Sequence, residues 1–562
     1  MNGAQAAVEA LRREGVRHIT GLPGTTIMHL IDAAGRDPGI RYLSVRHEQV
    51  AAFMADGYAR ATLGVGVCLA SRGPGAANLA IGMHNAHAES VPVLALIGQV
   101  PDQLRYREAF EEMDLVRFFE PITKWAVEVH DPGRIPELLQ RAVRTALSGR
   151  PGPVMVSLPL DVQTAEAPAR FQPRARLAPP APQAQALAAA AGLLAAARRP
   201  VIIVGGGIRG PGYDASLVTL AGRLQAPVVT TWLRKNAFPN DSPLFLGSLG
   251  YGAVAVTEDL VGDADVVLAM GCRFSEFTTR RWTLLSPGTA LIQVDIEAEA
   301  LGRHYVPEIG ICADAALASA ALVAAVDSLG SGDAAVLAER GRRAEAARAS
   351  YRQQTVLPAP PDLPAPATVG TVSSATLVAA LRTVLGTTRG TLVQDAPSLG
   401  PWIQRYVDFT SPGTYYAAGG GSMGWGFPAA MGMQLARPQD RIVTVSGDGS
   451  FWMVAQDLET AVREDLPVVN VINNNFCFGN TRDRQRAAHG GRYHGVFYGN
   501  PDFAAFARLL GAHGERVQAD AELIPALERA LGSGRPSVVD VVQDRHEGLP
   551  PGLLPPAATA GR

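Results

Sequence analysis

The chain has 562 residues, which exceeds the size of a single hydrophobic core and predicts about two to four domains. Hydrophobic residues make up 47% and charged residues 18%, proportions that are typical of a globular protein and exclude a disordered or fibrous one. The 50 basic and 52 acidic residues give a net charge of −2, and the chain has no basic run, so we expect no nucleic-acid partner.

The N-terminal sequence has no long apolar core, and its pattern predicts a helix followed by a strand instead of a signal peptide. The most apolar tracts, residues 184–197 and 311–326, are Ala-rich, carry charge at or near their ends and are shorter than the about 20 residues that cross a bilayer. We predict surface helices with one buried face for both tracts. We therefore expect a cytoplasmic protein without a membrane partner, in which four separated cysteines stay reduced: Cys68, Cys272, Cys312 and Cys477.

Two proline-rich stretches, residues 165–185 and 357–370, divide the chain into three parts. We assign an N-terminal domain to residues 1–165, a central domain to 186–350, a C-terminal domain to 371–547 and a flexible tail to 548–562. Each part alternates helical patterns with short apolar strands such as PVLALIG, PVIIVGG and RIVTVSG. This pattern predicts an α/β protein with three doubly wound parallel-sheet domains, in which ligands bind beyond the carboxyl ends of the strands.

The most informative stretch is 441–479, where a strand ends in a Gly-Asp-Gly-Ser loop, a helix follows, and a second strand ends in three asparagines at 473–475. Because parallel strands place their carboxyl ends at one edge, we expect Asp448 to lie close to these asparagines. A carboxylate, an amide oxygen and a backbone carbonyl form a hard-oxygen set that suits Mg²⁺. The rest of the loop lets the backbone approach a phosphate, so a metal–diphosphate site is predicted that also includes Gly447, Gly449 and Ser450.

The spacing of Gly-Asp-Gly and Asn-Asn resembles the signature of thiamine-diphosphate enzymes, in the group that includes acetolactate synthase, pyruvate oxidase, benzaldehyde lyase and benzoylformate decarboxylase. The resemblance implies thiamine diphosphate and Mg²⁺ as cofactors. It implies that the metal ligands are Asp448, the Asn475 side chain and the Cys477 carbonyl oxygen. A register shifted by one residue stays open, with Asn473 as the additional amide.

A second motif, RHE at 46–48, precedes DGYAR at 56–60. In the family that it resembles, the Glu of this motif hydrogen-bonds a ring nitrogen of the cofactor's aminopyrimidine, which implies a catalytic role for Glu48. A carboxyl held in an apolar pocket can keep or share a proton at neutral pH, because burial disfavours its charged form. The alternative is that Glu48 forms an ion pair with Arg46 or Arg60 at the start of a helix.

Further loops resemble cofactor-binding elements of the same family. SRGPGAAN at 71–78 and the strand end GQVP at 98–101 match its GPGxxN and GQ elements. GGGSMGWG at 419–426 matches GLGTMGFG, in which a Gly carbonyl and a bulky residue hold the cofactor's rings in a bent shape. This resemblance implies that the cofactor is also bound by Gly73, Asn78, Gln99, Gly421, Ser422 and Met423. The substrate pocket is assigned to Gly24, Thr25, Thr26, Phe110, Glu111 and Arg484.

The central part carries a competing motif, G-x-G-x-x-G at 205–210, directly after a strand. Alone it would favour a flavin- or nicotinamide-dependent oxidoreductase, but residues 228–232 (VVTTW) lack the acid that a dinucleotide site needs about 20 residues on. Central domains of the family that this chain resembles bind FAD, ADP or no ligand. FAD therefore stays open as a third cofactor, with Asp295 and the loop 271–276 as the residues that could face it.

The resemblance implies an acetolactate synthase-like enzyme that removes carbon dioxide from a 2-keto acid and joins the acyl fragment to a second keto acid or aldehyde. In this family the cofactor lies between the first domain of one subunit and the third domain of another. The resemblance therefore implies a homodimer as the smallest active unit and a homotetramer as the expected assembly.

Two departures from the family pattern keep the second reaction step open. The family has Phe-Gln where this chain has Phe110-Glu111. It also has LGMVRQWQ, with a Trp that helps choose the second keto acid, where this chain has FGNTRDRQ and Arg484. Arg484 could select an acidic acceptor or be a solvated surface residue. An acyloin lyase or ligase, a 2-keto acid decarboxylase and a cofactor-binding homologue without turnover are the alternatives.

Overall fold

The computed structural model describes residues 1–175, 177–208, 213–330, 332–359, 370–388, 390–395 and 398–553. Its strands form three six-stranded parallel sheets, one after another along the chain, with helices flanking them. This arrangement confirms the predicted α/β class with three doubly wound parallel-sheet domains.

The first sheet has the strand order β2-β1-β3-β4-β6-β5. Its strands are β1 (His18–Gly21), β2 (Arg41–Ser44), β3 (Gly66–Ala70), β4 (Val93–Gln99), β5 (Trp125–Glu128) and β6 (Val154–Pro159). The helices of this part are α1 (Gly3–Arg13), α2 (Met28–Arg36), α3 (Glu48–Thr62), α4 (Pro74–Glu89), α5 (Leu115–Phe119), α6 (Ile135–Leu147) and α7 (Leu160–Thr164).

The central sheet has the order β12-β11-β10-β7-β8-β9, which is the order of a Rossmann fold. Its strands are β7 (Pro200–Val204), β8 (Val228–Thr230), β9 (Phe245–Ser248), β10 (Val266–Met270), β11 (Ala290–Asp295) and β12 (Ile309–Cys312). The helices are α8 (Ala184–Ala196), α9 (Tyr213–Leu224), α10 (Ala255–Gly262), α11 (Ala315–Ser328) and α12 (Ala334–Gln354). The strand order reverses between β7 and β10, where such sheets bind ligands.

The third sheet, β14-β13-β15-β16-β18-β17, repeats the strand order of the first one. Its strands are β13 (Thr391–Gln394), β14 (Tyr415–Ala417), β15 (Ile442–Gly447), β16 (Val469–Asn474), β17 (His513–Val517) and β18 (Ser537–Val542). Its helices are α13 (Ser374–Thr388), α14 (Gly400–Tyr406), α15 (Gly426–Ala436), α16 (Asp448–Phe451), α17 (Leu458–Arg463), α18 (Gly479–His489), α19 (Phe503–Leu509) and α20 (Asp520–Gly532).

Two of the sequence predictions need correction at their boundaries. The tract 311–326 is not one helix, because Ile311 and Cys312 pair with Val294 and Asp295 as the end of β12 before α11 begins. The sequence predicts a Gly-Asp-Gly-Ser loop at 447–450 followed by a helix to about residue 464. In the structure Asp448 already begins a helix, α16, and the helical segment is broken between α16 and α17. As predicted, α8 and α11 each bury one face. Among the described residues, no helix combines the length and apolarity needed to cross a membrane.

The first and third domains share one hydrophobic core, in which α3 crosses α15. At this crossing the helices meet through glycines. A Cβ added at Gly57 would lie 2.0 Å from the Ala429 carbonyl oxygen, and one added at Gly432 would lie 1.9 Å from the Met54 carbonyl oxygen. Only a residue without a side chain permits this approach, which fixes the two domains against each other.

We expect Gly432→Ala to lower the thermal unfolding midpoint, because the new methyl group must push α3 and α15 apart. Overpacking of this kind typically costs about 1–3 kcal/mol. Gly192→Ala is the matched control, since Gly192 lies within α8 and a Cβ added there would meet no atom within 4 Å. Calorimetric unfolding should show the loss only for Gly432→Ala, and an unchanged midpoint would mean that the crossing tolerates a side chain.

Candidate active site

Four chain segments of the third domain meet at the carboxyl edge of its sheet. They follow β13, β14, β15 and β16, which are neighbours in the sheet. Asp448 begins α16 directly after β15, and the loop after β16 carries Asn475 and Cys477. The parallel register therefore brings the predicted metal ligands to one place.

Asp448 is a buried carboxylate, 1% exposed, that accepts four hydrogen bonds. Its Oδ1 accepts from the Gly449 amide at 2.8 Å and from the Tyr498 hydroxyl at 2.8 Å. Its Oδ2 accepts from the Phe476 amide at 2.7 Å and from Asn500 Nδ2 at 2.8 Å. Burial raises the pKa of Asp448 to about 6, and the four donors act in the opposite direction.

The three asparagines face different partners, as expected from the alternation of a strand. Ser398 Oγ donates to Asn473 Oδ1 at 3.0 Å and accepts from Asn475 Nδ2 at 2.9 Å, so these two residues share one side. Asn474 points the other way, and its Nδ2 donates to Asp540 Oδ1 at 2.7 Å. Asn475 Oδ1 accepts only a 3.3 Å bond from the Cys477 amide in the described structure, which leaves it able to bind a cation.

The Ser450 hydroxyl lies at the same edge, buried and without a hydrogen-bond partner among the residues that the structure describes. A phosphate oxygen would satisfy this donor. With the carboxylate of Asp448 and the amide oxygen of Asn475, it completes a set of groups that fits Mg²⁺ bound to a diphosphate.

Glu48 opens α3 at the carboxyl edge of the first sheet and is 6% exposed. Its Oε2 accepts a hydrogen bond from Asn78 Nδ2 at 3.0 Å. Arg46 pairs with Glu459 at 2.8 Å and Arg60 pairs with Asp56 at 2.6 Å. The alternative ion pair between Glu48 and either of these described arginines is therefore not formed.

The neighbouring loops of the first domain pack around this carboxyl group. Thr26 Oγ1 lies 2.8 Å from Ser71 Oγ, and a Cβ added at Gly24 would lie 2.7 Å from Ser71 Cβ. Thr25 is exposed beside them. Gly75 approaches Glu48 so closely that an added Cβ would lie 3.1 Å from Oε1.

The segment after β4 packs against the carboxyl edge of the first sheet. Gln99 Nε2 donates to the Met113 carbonyl oxygen at 2.8 Å, so this predicted cofactor ligand holds the segment in place. Phe110 is 77% exposed, and its carbonyl oxygen accepts from Arg72 Nε at 2.8 Å. Glu111 lies 3.6 Å from the Arg72 guanidinium, and a Cβ added at Gly73 would lie 2.5 Å from the Glu111 carbonyl oxygen.

The loop 418–425, which follows β14, contains the residues predicted to hold the cofactor's rings. Gly421 has φ +77°, a conformation that glycine adopts without strain, and a Cβ added there would meet no atom within 4 Å. Ser422 is buried, whereas Met423 is half-buried and lies outside the hydrophobic clusters. The loop therefore presents an open face at Gly421 and Met423.

The group around Glu48 and the group around Asp448 belong to different sheets. In the described part of the chain, no hydrogen bond joins Glu48 or Asn78 to Asp448, Asn475 or Ser398. The predicted site residues thus form two hydrogen-bonded groups in the described structure, one at each sheet edge.

Sequence reasoning missed Ser398, Tyr498 and Asn500, which contact the predicted ligands directly. Tyr498 and Asn500 lie in the sequence YGNP before α19. The composition of this stretch predicts a turn but gives no indication of a contact with Asp448. Their contact with Asp448, about 50 residues earlier in the chain, could not be read from local spacing.

Helix α18 begins beside the predicted metal ligands. The Phe478 ring packs on the Gly-Asp-Gly loop, where a Cβ added at Gly449 would lie 2.6 Å from it. Asp483 pairs with Arg482 at 2.9 Å and with Arg486 at 2.6 Å. Arg484 is exposed and has no hydrogen bond or ion pair among the described residues. Arg484 lies close enough to Tyr251 to act on its phenol. Burial and the Asp483 carboxylate raise the pKa of Tyr251, and the Arg484 guanidinium opposes this shift.

A cavity with a volume of about 690 Å³ lies at the strand-order reversal of the central sheet. Gly206 and Gly207 of the competing glycine motif line it, whereas Gly210 lies outside the described residues. Asp295 and the loop 271–276 contribute to its wall, together with three arginines from two domains: Arg150, Arg234 and Arg273.

Comparison with known proteins agrees with this architecture. Three family models match in order: "Thiamine pyrophosphate enzyme, N-terminal TPP binding domain" over residues 1–118, the "central domain" over 187–322 and the "C-terminal TPP binding domain" over 395–541. The chain belongs to the thiamine pyrophosphate enzymes, pyrophosphate being another name for the diphosphate of this cofactor.

Within that family the chain is similar to acetolactate synthase large subunits. It is 34% identical to the "Probable acetolactate synthase large subunit" of Methanocaldococcus jannaschii, over 99% of this chain and 94% of the relative. It is 32% identical to the "Acetolactate synthase isozyme 2 large subunit" of Escherichia coli, over 100% of this chain and 98% of the relative. The protein is therefore a thiamine-diphosphate-dependent enzyme of the acetolactate synthase type.

Proposed function

We propose that the enzyme uses Mg²⁺-bound thiamine diphosphate to remove carbon dioxide from a 2-keto acid and to join the acyl fragment to a second carbonyl compound. The observation that carries this proposal is the convergence of the Asp448 carboxylate, the Asn475 amide oxygen and the unpartnered Ser450 hydroxyl at one sheet edge. The similarity to acetolactate synthase large subunits supports ligation as the second step.

The bound cofactor would supply a nucleophilic carbon and an electron sink for the loss of carbon dioxide. The chain would hold Mg²⁺ through Asp448, the Asn475 side chain and the Cys477 carbonyl oxygen. The Ser450 hydroxyl would donate to the diphosphate. Glu48, held by Asn78 at 3.0 Å, would keep a proton at the aminopyrimidine ring nitrogen.

A homodimer is the smallest unit that this proposal allows. The Glu48 group and the Asp448 group share no hydrogen bond among the described residues of one chain, so each would form half of a site that a second chain completes. A homotetramer and a cytoplasmic location stay predictions.

Calorimetric titration with Mg²⁺ and thiamine diphosphate tests the metal site. Asp448→Ala should abolish binding, since it removes the charged ligand beside a diphosphate. Asn475→Ala should weaken binding about 10- to 100-fold, and Asn473→Ala should weaken it less. Asn470→Ala, on the same strand but bonded to Ser446, is the control. A larger loss for Asn473→Ala than for Asn475→Ala would contradict the assigned register.

Glu48→Gln tests the proton-holding role. The amide keeps the shape of the side chain but cannot share a carboxyl proton, and assistance of this kind is typically worth about 100- to 10,000-fold. We expect cofactor affinity to stay within about tenfold, while hydrogen–deuterium exchange at the thiazolium C2, measured by NMR after acid quench, falls at least about 100-fold. Exchange at the wild-type rate would assign Glu48 a structural role only.

Arg484 is the residue that we propose to bind the acceptor. It is the arginine of α18 that Asp483 does not neutralise, and it lies on the helix that starts at the metal-binding loop. A carboxylate on the acceptor is the partner that this guanidinium fits.

Competition between 2-oxobutanoate and propanal, with pyruvate as donor, tests this role because the two acceptors differ by the carboxylate. Arg484→Gln should lower the preference for 2-oxobutanoate over propanal about 10- to 100-fold. This factor corresponds to the free energy that a hydrogen bond to a charged group usually contributes. Arg492→Gln, beyond the end of α18, should leave the preference unchanged. Equal effects of both variants would show that Arg484 is a solvated surface residue.

The central cavity supports a nucleotide with a diphosphate group as a further ligand. Its position at the strand-order reversal suits FAD or ADP, and Arg273, which forms no ion pair among the described residues, could contact the diphosphate. Flavin absorbance released from the purified protein on denaturation would identify FAD, and its absence would leave ADP to be tested by titration.

A further inference from the structure

Four charged side chains, of which Asp56 and Glu89 are buried and Arg60 and Arg234 are half-buried, join the three domains behind the loop 418–425. Asp56 and Arg60 belong to α3, Glu89 ends α4, and Arg234 follows β8 of the central domain. Two are negative and two are positive, so the group is neutral as a whole. Asp56 and Arg60 form the DGYAR motif, to which the mechanism proposed above gives no role.

The first pair, Asp56 and Arg60, contacts the last residue of the loop, Trp425. Asp56 is fully buried and accepts from Arg60 Nε at 2.6 Å and from the indole Nε1 of Trp425 at 2.9 Å. The Arg60 guanidinium lies over the Trp425 ring at 4.9 Å. Trp425, the last residue of the loop, is thus held by a hydrogen bond and a cation–π contact at once.

The second pair, Glu89 and Arg234, lies at Ala417, the residue directly before the loop. Arg234 forms an ion pair with Glu89, and Arg60 lies 3.4 Å from the same carboxylate. Arg60 and Arg234 each donate to the Ala417 carbonyl oxygen at 3.3 Å. Burial opposes ionisation of Glu89, but the neighbouring arginines hold its pKa at about 2, so the carboxylate is charged throughout the physiological range.

The backbone of the loop lies directly on this network. A Cβ added at Gly419 would lie 2.8 Å from Glu89 Oε1, and one added at Gly420 would lie 2.7 Å from Asn85 Oδ1. The next residue, Gly421, is open instead. One side of the loop is therefore packed on α4 and the other side is free to receive a ligand.

We propose that Asp56, Arg60, Glu89 and Arg234 are positioning residues, which fix the loop 418–425 so that Gly421 and Met423 meet the rings of the cofactor. This inference rests on the proposed use of thiamine diphosphate. The inference assigns different residues to the two parts of the cofactor. The charged network positions the loop that contacts the rings, whereas the segment around Asp448 binds the diphosphate. A residue that only stabilises the fold would affect both parts equally.

Two ligands distinguish these roles: thiamine diphosphate with Mg²⁺, and inorganic pyrophosphate with Mg²⁺, which has no rings. For Glu89→Gln in the full-length protein, we expect the Kd of thiamine diphosphate to rise at least about tenfold and the Kd of pyrophosphate to stay within about twofold. Hydrogen exchange of residues 417–425 in the unliganded protein should accelerate, because the loop loses its anchor.

Glu464→Gln is the matched control. Glu464 pairs with Arg41 at 2.7 Å and also joins the first and third domains, but it lies outside the network. It should match wild type in both titrations and in exchange. Glu89→Asp keeps the charge and shortens the side chain, so it should fall between wild type and Glu89→Gln, and it carries the same comparison if Glu89→Gln does not fold.

The outcomes separate this inference from the proposed function. Wild-type protein that binds neither ligand would overturn the proposed function itself. Wild-type affinity and exchange in the Glu89 variants, or equal loss of both ligands, would overturn the positioning role and leave the cofactor assignment intact.

Discussion

The buried carboxylate of Asp448 is the constraint on which the candidate site depends. A charge that is 1% exposed must be surrounded by donors, and here the donors come from three separate stretches of chain. The hydrogen bonds that Asp448 accepts hold the loop after β16 and the turn at 498–500 against the Gly-Asp-Gly segment. The same arrangement brings the Asn475 amide and the Ser450 hydroxyl to the place where a metal–diphosphate would bind.

The repeated strand order of the first and third domains accounts for the two groups of predicted site residues. Both sheets present functional loops at their carboxyl edges, one around Glu48 and one around Asp448. The glycine crossing of α3 and α15 and the charged network at Asp56 hold the domains of one chain together. The same packing that fixes these domains thus also supports the back of the loop 418–425.

Much of this organisation could be predicted from sequence, because apolar strands, proline-rich linkers and glycine loops are local signals. The three α/β domains and the adjacency of Asp448 and Asn475 follow from strand periodicity and parallel pairing. The break between α16 and α17 and the end of β12 at Cys312 depend on tertiary packing and could not be read locally. Ser398, Tyr498 and Asn500 reach the site from distant loops, and no spacing rule links them to Asp448.

We propose that this chain couples the loss of carbon dioxide to carbon–carbon bond formation through Mg²⁺ and thiamine diphosphate. Incubation of the chelator-dialysed protein with pyruvate, with and without both cofactors, tests it most directly when carbon dioxide is quantified and products are identified by mass spectrometry. The account predicts that, only with both cofactors, two pyruvate molecules are consumed for each carbon dioxide released and a coupled hydroxy-keto acid forms. Full activity with both cofactors confirmed absent, or acetaldehyde as the sole product, would contradict it.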